Sequence, residues 1–203
     1  MSRNLHRASN RDLIFAASFA LVAAAISLAP TSLRDSLLWR ADASPLEFWR
    51  WVSAHFVHLS PLHLTLNLAA LLVLVLIFRQ WRFAHRAHST CADWLLPAGL
   101  SMLTVDLALA ARLGEIAWYG GLSGVLHGVF AWLSLLHLAP PASLGLRSLA
   151  VLLWLGGLIK SIHDLTVPVG AMGWLGVPLA TPTHLAGYVG GSLAGVVMLR
   201  RLR

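Results

Sequence analysis

An all-α membrane protein with six spanning helices, folded as a single domain over residues 1–203, is the class this sequence predicts. Three observations predict it. The chain is 58% hydrophobic and only 11% charged, against about 25% charged in soluble proteins. Six apolar runs are punctuated by prolines, glycines and arginines. The basic residues, which give a net charge of +7, lie between those runs and at the chain ends, where they orient a protein in a bilayer. That placement argues against a nucleic-acid partner, which would need a basic face. Cys91 is the single cysteine, so no internal disulfide forms; beside Asp93 it reads as an inert thiol in a loop.

The first run, residues 13–29, follows Arg3, Arg7 and Arg11 and rises about 26 Å as a helix. Ser27-Leu28-Ala29 resembles a signal-peptide cleavage site, but Pro30 follows directly and argues for a retained helix. Residues 31–57 interleave Arg34, Asp35, Arg40, Asp42, Glu47 and Arg50 with Trp39, Trp49 and Trp51. This predicts an amphipathic external segment lying in the interface, with its tryptophans at headgroup level. A second span over 59–78 is closed by Arg79, Arg82 and Arg86. The remaining spans are 94–111, 119–138, 144–159 and 183–199. Six spans put both termini on one side. The N-terminus, the 2–3 loop, the 4–5 loop and the C-terminus hold ten of the fifteen Lys and Arg residues, so that side is predicted to be cytoplasmic. Residues 161–182 are apolar but carry Pro168, Gly170, Gly173, Gly176, Pro178 and Pro182. Such a segment reads either as a hydrophobic lid over the external end or as an ordinary interfacial loop.

Chemistry concentrates in two of the runs. Ser123 lies in Gly120-Gly121-Leu122-Ser123-Gly124, about one turn inside the fourth predicted span. His184 opens the sixth, and an ionisable residue at that depth calls for an explanation. Glycines 120, 124 and 128, and glycines 187, 191 and 195, recur at every fourth residue, the spacing that lets two helix backbones approach in lipid. His184 shares a face with Gly187. If the two stripes meet, a hydroxyl and an imidazole from positions 61 apart are brought together. The imidazole then acts as the base that activates a serine nucleophile. Donors for an oxyanion come from the Ser123 amide and from His63 and Asn67, an i, i+4 pair on the second span.

Other hydrolase chemistries are not supported. No HExxH is present and His55-x-x-His58 lacks a glutamate, so neither a metal nor another cofactor is expected. Asp106 alone is well inside a span, too few carboxylates for an aspartyl dyad; it reads as a buried hydrogen-bond partner, or as an orienting group for His184. His55 and His58 read as interfacial surface residues, or as the lining of a water route.

Taken together, Glu47-Phe48-Trp49-Arg50, His63-x-x-x-Asn67, Gly121-Leu122-Ser123-Gly124 and His184-x-x-Gly187-x-x-x-Gly191 resemble the rhomboid family of intramembrane serine proteases, over nearly the whole chain from Glu47 onward. The resemblance implies a six-helix rhomboid-like bundle, a Ser123/His184 dyad without an acidic third member, and an oxyanion hole from the Ser123 amide, His63 and Asn67, with Gly121, Gly124, Gly187 and Gly191 in support. Bacterial rhomboids commonly carry a tyrosine four residues after the serine, packed on the histidine; here the residue is His127. Ser123-Gly124-Val125-Leu126-His127-Gly128 is similar to the rhombosortase branch. That branch implies a Gram-negative inner-membrane protease, with its active site near the periplasmic face. Its substrates would be membrane-anchored proteins whose C-terminal anchor has a glycine-rich motif, a transmembrane helix and a basic tail. His127 would either stack on His184 or alter its protonation. The alternatives are a general rhomboid protease of single-span proteins and an inactive rhomboid-like protein that binds membrane helices; the presence of both Ser123 and His184 argues against the latter.

Overall fold

The computed structural model describes residues 2–85, 91–111, 116–169 and 180–202. Six long helices dominate: α1 (Ser2–Ser27), α4 (Pro61–His85), α5 (Cys91–Ala110), α6 (Ser123–Leu136), α7 (Leu144–His163) and α8 (Pro182–Arg201). Between α1 and α4 lie α2 (Thr31–Leu37), β1 (Trp39–Arg40), α3 (Arg50–Ser53) and a 3-10 turn over Ala54–Phe56; β2 (Trp118–Tyr119) precedes α6. This is the expected all-α bundle. By length and composition, Pro61–Ala84, Asp93–Ala110 and Leu144–Thr166 qualify as membrane spans, whereas Asp12–Ser27 and Ser123–Leu136 are shorter apolar helices.

Helix α6 is the core of the bundle, with ten of its fourteen residues buried. It packs on α8 through the two glycine stripes. A Cβ at Gly187 would fall on the Gly124 carbonyl, and one at Gly191 on the Gly128 carbonyl. At the far end from Ser123, Phe78, Trp94 and Trp132 form an aromatic cluster with ring centroids 5.0 to 5.6 Å apart. Trp81 Nε1 donates to the Leu136 carbonyl there at 3.0 Å.

Several boundaries differ from the sequence expectation. Helix α4 runs on through Arg79 and Arg82 because Arg82 turns inward, where it pairs with buried Asp12 at 3.2 Å. Helix α6 starts at Ser123 itself rather than a turn earlier. The preceding Trp118 and Tyr119 pair antiparallel with Arg40 and Trp39, a β contact that two-residue strands do not announce. Helix α7 passes Lys160 to His163 and continues as a 3-10 turn over Asp164–Thr166, since no breaker appears before Pro168. Of the lid read over 161–182, residues 170–179 lie outside the described residues. Cys91 begins α5 instead of lying in a loop.

The amphipathic segment is a folded cap, not a surface ribbon. Arg50 is 9% exposed and donates to the carbonyls of Asp35 (2.8 Å) and Leu38 (2.6 Å) and to the Glu47 carboxylate (2.7 Å). Trp49 donates to Ser36 O at 3.0 Å and Ser53 to Leu37 O at 2.8 Å. Trp39 is buried rather than at headgroup level. His55 and His58, expected at the surface, are also buried. His55 bridges Asp106 Oδ1 (3.2 Å) and the Tyr119 hydroxyl (3.3 Å), which donates to the Gly121 carbonyl at 2.6 Å. Asp106 is thus engaged with His55.

Two stability predictions follow from these contacts. Gly191→Val, which places carbon atoms on the Gly128 backbone, lowers the melting temperature in detergent by 10 °C or more or prevents folding, while Gly99→Ala, at a helical site with no neighbour within 4 Å, is neutral or slightly stabilising. His58 lies in the loop before α4 with Nε2 buried and without a partner. Burial, with a smaller contribution from neighbouring His63, pushes its pKa down to about 4. The unfolded chain therefore binds an extra proton between that value and the ordinary value of about 6.5, so stability falls as pH drops through this window. Melting temperatures measured from pH 7 to pH 4 decline for the wild type, and His58→Phe reduces the slope.

Candidate active site

Helix geometry sets the depth of the site. Leu136 is level with Trp81, which donates to its carbonyl. Thirteen residues back along α6, about 20 Å at 1.5 Å per residue, is Ser123; Asn67 is fourteen residues back along α4, which runs parallel to α6, about 21 Å, and Pro61 about 30 Å. Ser123 and Asn67 therefore share one level, recessed roughly 10 Å below the end of α4. The chain reaches that level through Gly121, whose φ of +130° suits a residue without a Cβ. A side chain there would also meet the His63 ring, at 2.7 Å from its Cε1. No side chain caps α6, so its first amides, Ser123 N–H among them, point out of the helix end as free donors with the positive end of the macrodipole.

Close packing of α6 and α8 brings His184 to the serine: Ser123 Oγ lies 3.1 Å from His184 Nε2. The other ring nitrogen, Nδ1, is 2.7 Å from Asp164 Oδ2, and the ring of His127 stacks on that of His184 with centroids 4.2 Å apart and planes 11° from parallel. Stacking is thus the arrangement found for His127. The acidic residue beside His184 is Asp164, in the 3-10 turn after α7, and not Asp106; the resemblance had implied no such residue.

Lys160, one turn before Asp164 on α7, completes the surroundings. Its ammonium donates to Asp164 Oδ2 at 2.6 Å and contacts His127 Nε2 at 2.8 Å. An ammonium has only protons to offer, so His127 Nε2 is the acceptor. His127 therefore carries its proton on Nδ1 and donates it to the Ser123 carbonyl at 2.7 Å. The same reasoning gives His184 a proton on Nδ1, donated to the carboxylate, and leaves Nε2 to accept from the serine hydroxyl. A closed circuit of hydrogen bonds results, from Ser123 through His127, Lys160, Asp164 and His184 back to Ser123. His127, Asp164 and His184 present ligand atoms within 4.8 Å of one another, but the Lys160 ammonium already supplies a cation to two of them.

On the α4 side, His63 and Asn67 are 9% and 6% exposed, and Asn67 Nδ2 is a buried amide without a protein partner. Burying such a donor unpaired is costly, and it leaves the amide free to donate. An apolar groove of about 690 Å³ runs between α4 and α7, lined by Leu66, Ala70 and Val73 on one side, by Gly156 on the other, and reaching His127 and Lys160.

Sequence reading singled out Ser123, His184, His63, Asn67 and His127, and the structure brings Ser123, His184 and His127 into contact. That reading missed Lys160 and Asp164 because they were assigned to a helix end and a loop; their i, i+4 spacing on one helical face was the available signal.

Residues 45–201 match the family model described as the Rhomboid domain. The chain is 32% identical over 163 residues to the protein named Rhomboid protease GlpG in Serratia proteamaculans (strain 568), covering 77% of this chain and 51% of that protein. It is 29% identical over 168 residues to the protein of the same name in Yersinia enterocolitica serotype O:8 / biotype 1B (strain NCTC 13174 / 8081), with the same coverage. The chain spans about half the length of these curated relatives. With the glycine-packed bundle and the recessed serine, the match over 45–201 leads to one conclusion: this is an integral membrane protein that belongs to the rhomboid family.

Proposed function

We propose that the protein is an intramembrane serine endopeptidase in which Ser123 is the nucleophile and His184 the base. The observation that carries this is the 3.1 Å contact between Ser123 Oγ and His184 Nε2 at a recessed helix end. Ser123 Oγ attacks the peptide carbonyl carbon while its proton passes to Nε2. The oxyanion takes hydrogen bonds from the Ser123 amide, Asn67 and His63. The C–N bond then breaks, the leaving amine takes the proton from Nε2, and an ester on Ser123 remains for water or an amine to resolve. That both relatives are named as proteases supports this chemistry.

For the substrate, the His127 position favours the rhombosortase-like reading: membrane-anchored proteins with a C-terminal transmembrane helix, cut at a Gly-Gly type sequence. Glycine beside the bond lets the segment leave helical geometry at little cost, and the apolar groove between α4 and α7 suits a helix arriving from the bilayer. The proposed setting is a bacterial inner membrane with both termini cytoplasmic and the serine near the periplasmic face, as the arginine distribution favours.

In proteoliposomes, the wild type cleaves a Gly-Gly tailed single-span substrate, and Ser123→Ala and His184→Ala do not. Product formed by either variant excludes the serine–histidine reading, and wild-type binding without cleavage favours an escort of membrane helices. Asn67→Ala lowers kcat by roughly 10- to 10³-fold with KM little changed, as loss of an oxyanion donor requires; a rise in KM alone would assign Asn67 to substrate binding.

A further inference from the structure

We propose that Asp164, clamped by Lys160, is a positioning residue for His184, which makes the site a serine–histidine–aspartate arrangement whose basicity is trimmed by a lysine; this rests on the reading of Ser123 and His184 above. Three features carry it. Asp164 Oδ2 is 2.7 Å from His184 Nδ1, on the side of the ring opposite Ser123. Its side chain is 14% exposed and that of His184 16%, so solvent only partly screens the pair. The ring is fixed in plane by the stacked His127 and in rotation by the carboxylate.

Each contact has a chemical consequence. A neutral imidazole exists in two tautomers, and only the one protonated on Nδ1 can accept the serine proton at Nε2. A carboxylate accepting from Nδ1–H selects that tautomer. When Nε2 takes the proton from Ser123, the ring becomes a cation beside an anion, and the Nδ1 proton stays where it was. Asp164 thus favours the charged ring. Lys160, 2.6 Å from the same oxygen, opposes it. The two charges therefore act on the ring with opposite sign, one favouring and one opposing its cationic form.

Opposite signs for the two partners follow. Among the described residues, the charged and titratable groups near His184 are His127 on α6, Lys160 and Asp164 on α7 and its following turn, and His63 on α4. Removing the aspartate charge lowers the pH at which His184 gives up its proton, and removing the lysine charge raises it. A role limited to holding the α7 end would move neither, or move both alike.

The test is the rate at which a fluorophosphonate labels Ser123 in the full chain, in detergent, from pH 5 to 9, with the label located by mass spectrometry. The wild type shows a rate rising through one midpoint. Asp164→Asn labels about 10²- to 10⁴-fold more slowly at neutral pH, with its midpoint at lower pH, and Asp164→Glu recovers part of the rate. Lys160→Met shifts the midpoint to higher pH. Asp164→Asn within about threefold of wild type at an unchanged midpoint overturns the proposal, as do shifts of the same sign in both variants. Should Asp164→Asn not fold, Lys160→Met decides alone: a midpoint unmoved or lowered overturns it. Labelling that needs His184 but ignores Asp164 defeats only this inference, whereas labelling of Ser123 that survives at wild-type rate in His184→Ala defeats the reading beneath it.

Discussion

Backbone contact between α6 and α8 is the constraint on which the rest of the structure depends. The carbonyls of Gly124 and Gly128 occupy the space where side chains on Gly187 and Gly191 would stand. In lipid no hydrophobic force draws apolar helices together, so association depends on such close van der Waals packing. One side chain at either stripe separates the helices by more than a hydrogen bond tolerates, and the 3.1 Å approach of Ser123 to His184 is lost with it. Stability and site geometry therefore reside in the same glycines.

Around that contact the polar groups solve an electrostatic problem. Ionisable side chains in a membrane bundle are costly unless paired. Here they are paired in series: Lys160 with Asp164, Asp164 with His184, His127 with Lys160. A second series, Asp106 to His55 to Tyr119 to the Gly121 carbonyl, holds the turn that leads into Ser123. Burial also raises the Tyr119 hydroxyl pKa beyond its ordinary range, so it remains a donor to that carbonyl at any ordinary pH.

Much of this was legible in the sequence, for physical reasons. Six apolar runs and the spacing of glycines are periodic signals that survive without coordinates, and they yielded the all-α bundle and the approach of Ser123 to His184. The exact depth was not legible, since the counts that level Asn67 with Ser123 start from the Trp81–Leu136 contact, which only the structure shows. What escaped was non-periodic. Arg82 pairs inward with Asp12, a partner 70 positions away; Trp39 finds Tyr119 across two-residue strands; His55 and His58 are buried by the folded cap. Asp164 was hidden because a proline-rich neighbourhood masked one more helical turn.

The short α6 explains how the proposed hydrolytic site can lie below a membrane surface. Fourteen residues rise about 21 Å, well short of a hydrocarbon core of about 30 Å. The space above its N-terminus is not left to lipid, because the cap built on Arg50 and the β1–β2 pair close over the turn at Gly120 and Gly121, and Leu38 lies against Gly120. The helix end points its free amides and its positive dipole towards that recess. A helix begun one turn earlier would satisfy those amides within that turn and fill the recess above Ser123. Shortness at this one helix therefore supplies both the depth and the donors that the proposed chemistry uses, and the glycines around Ser123 are what allow the chain to stop there.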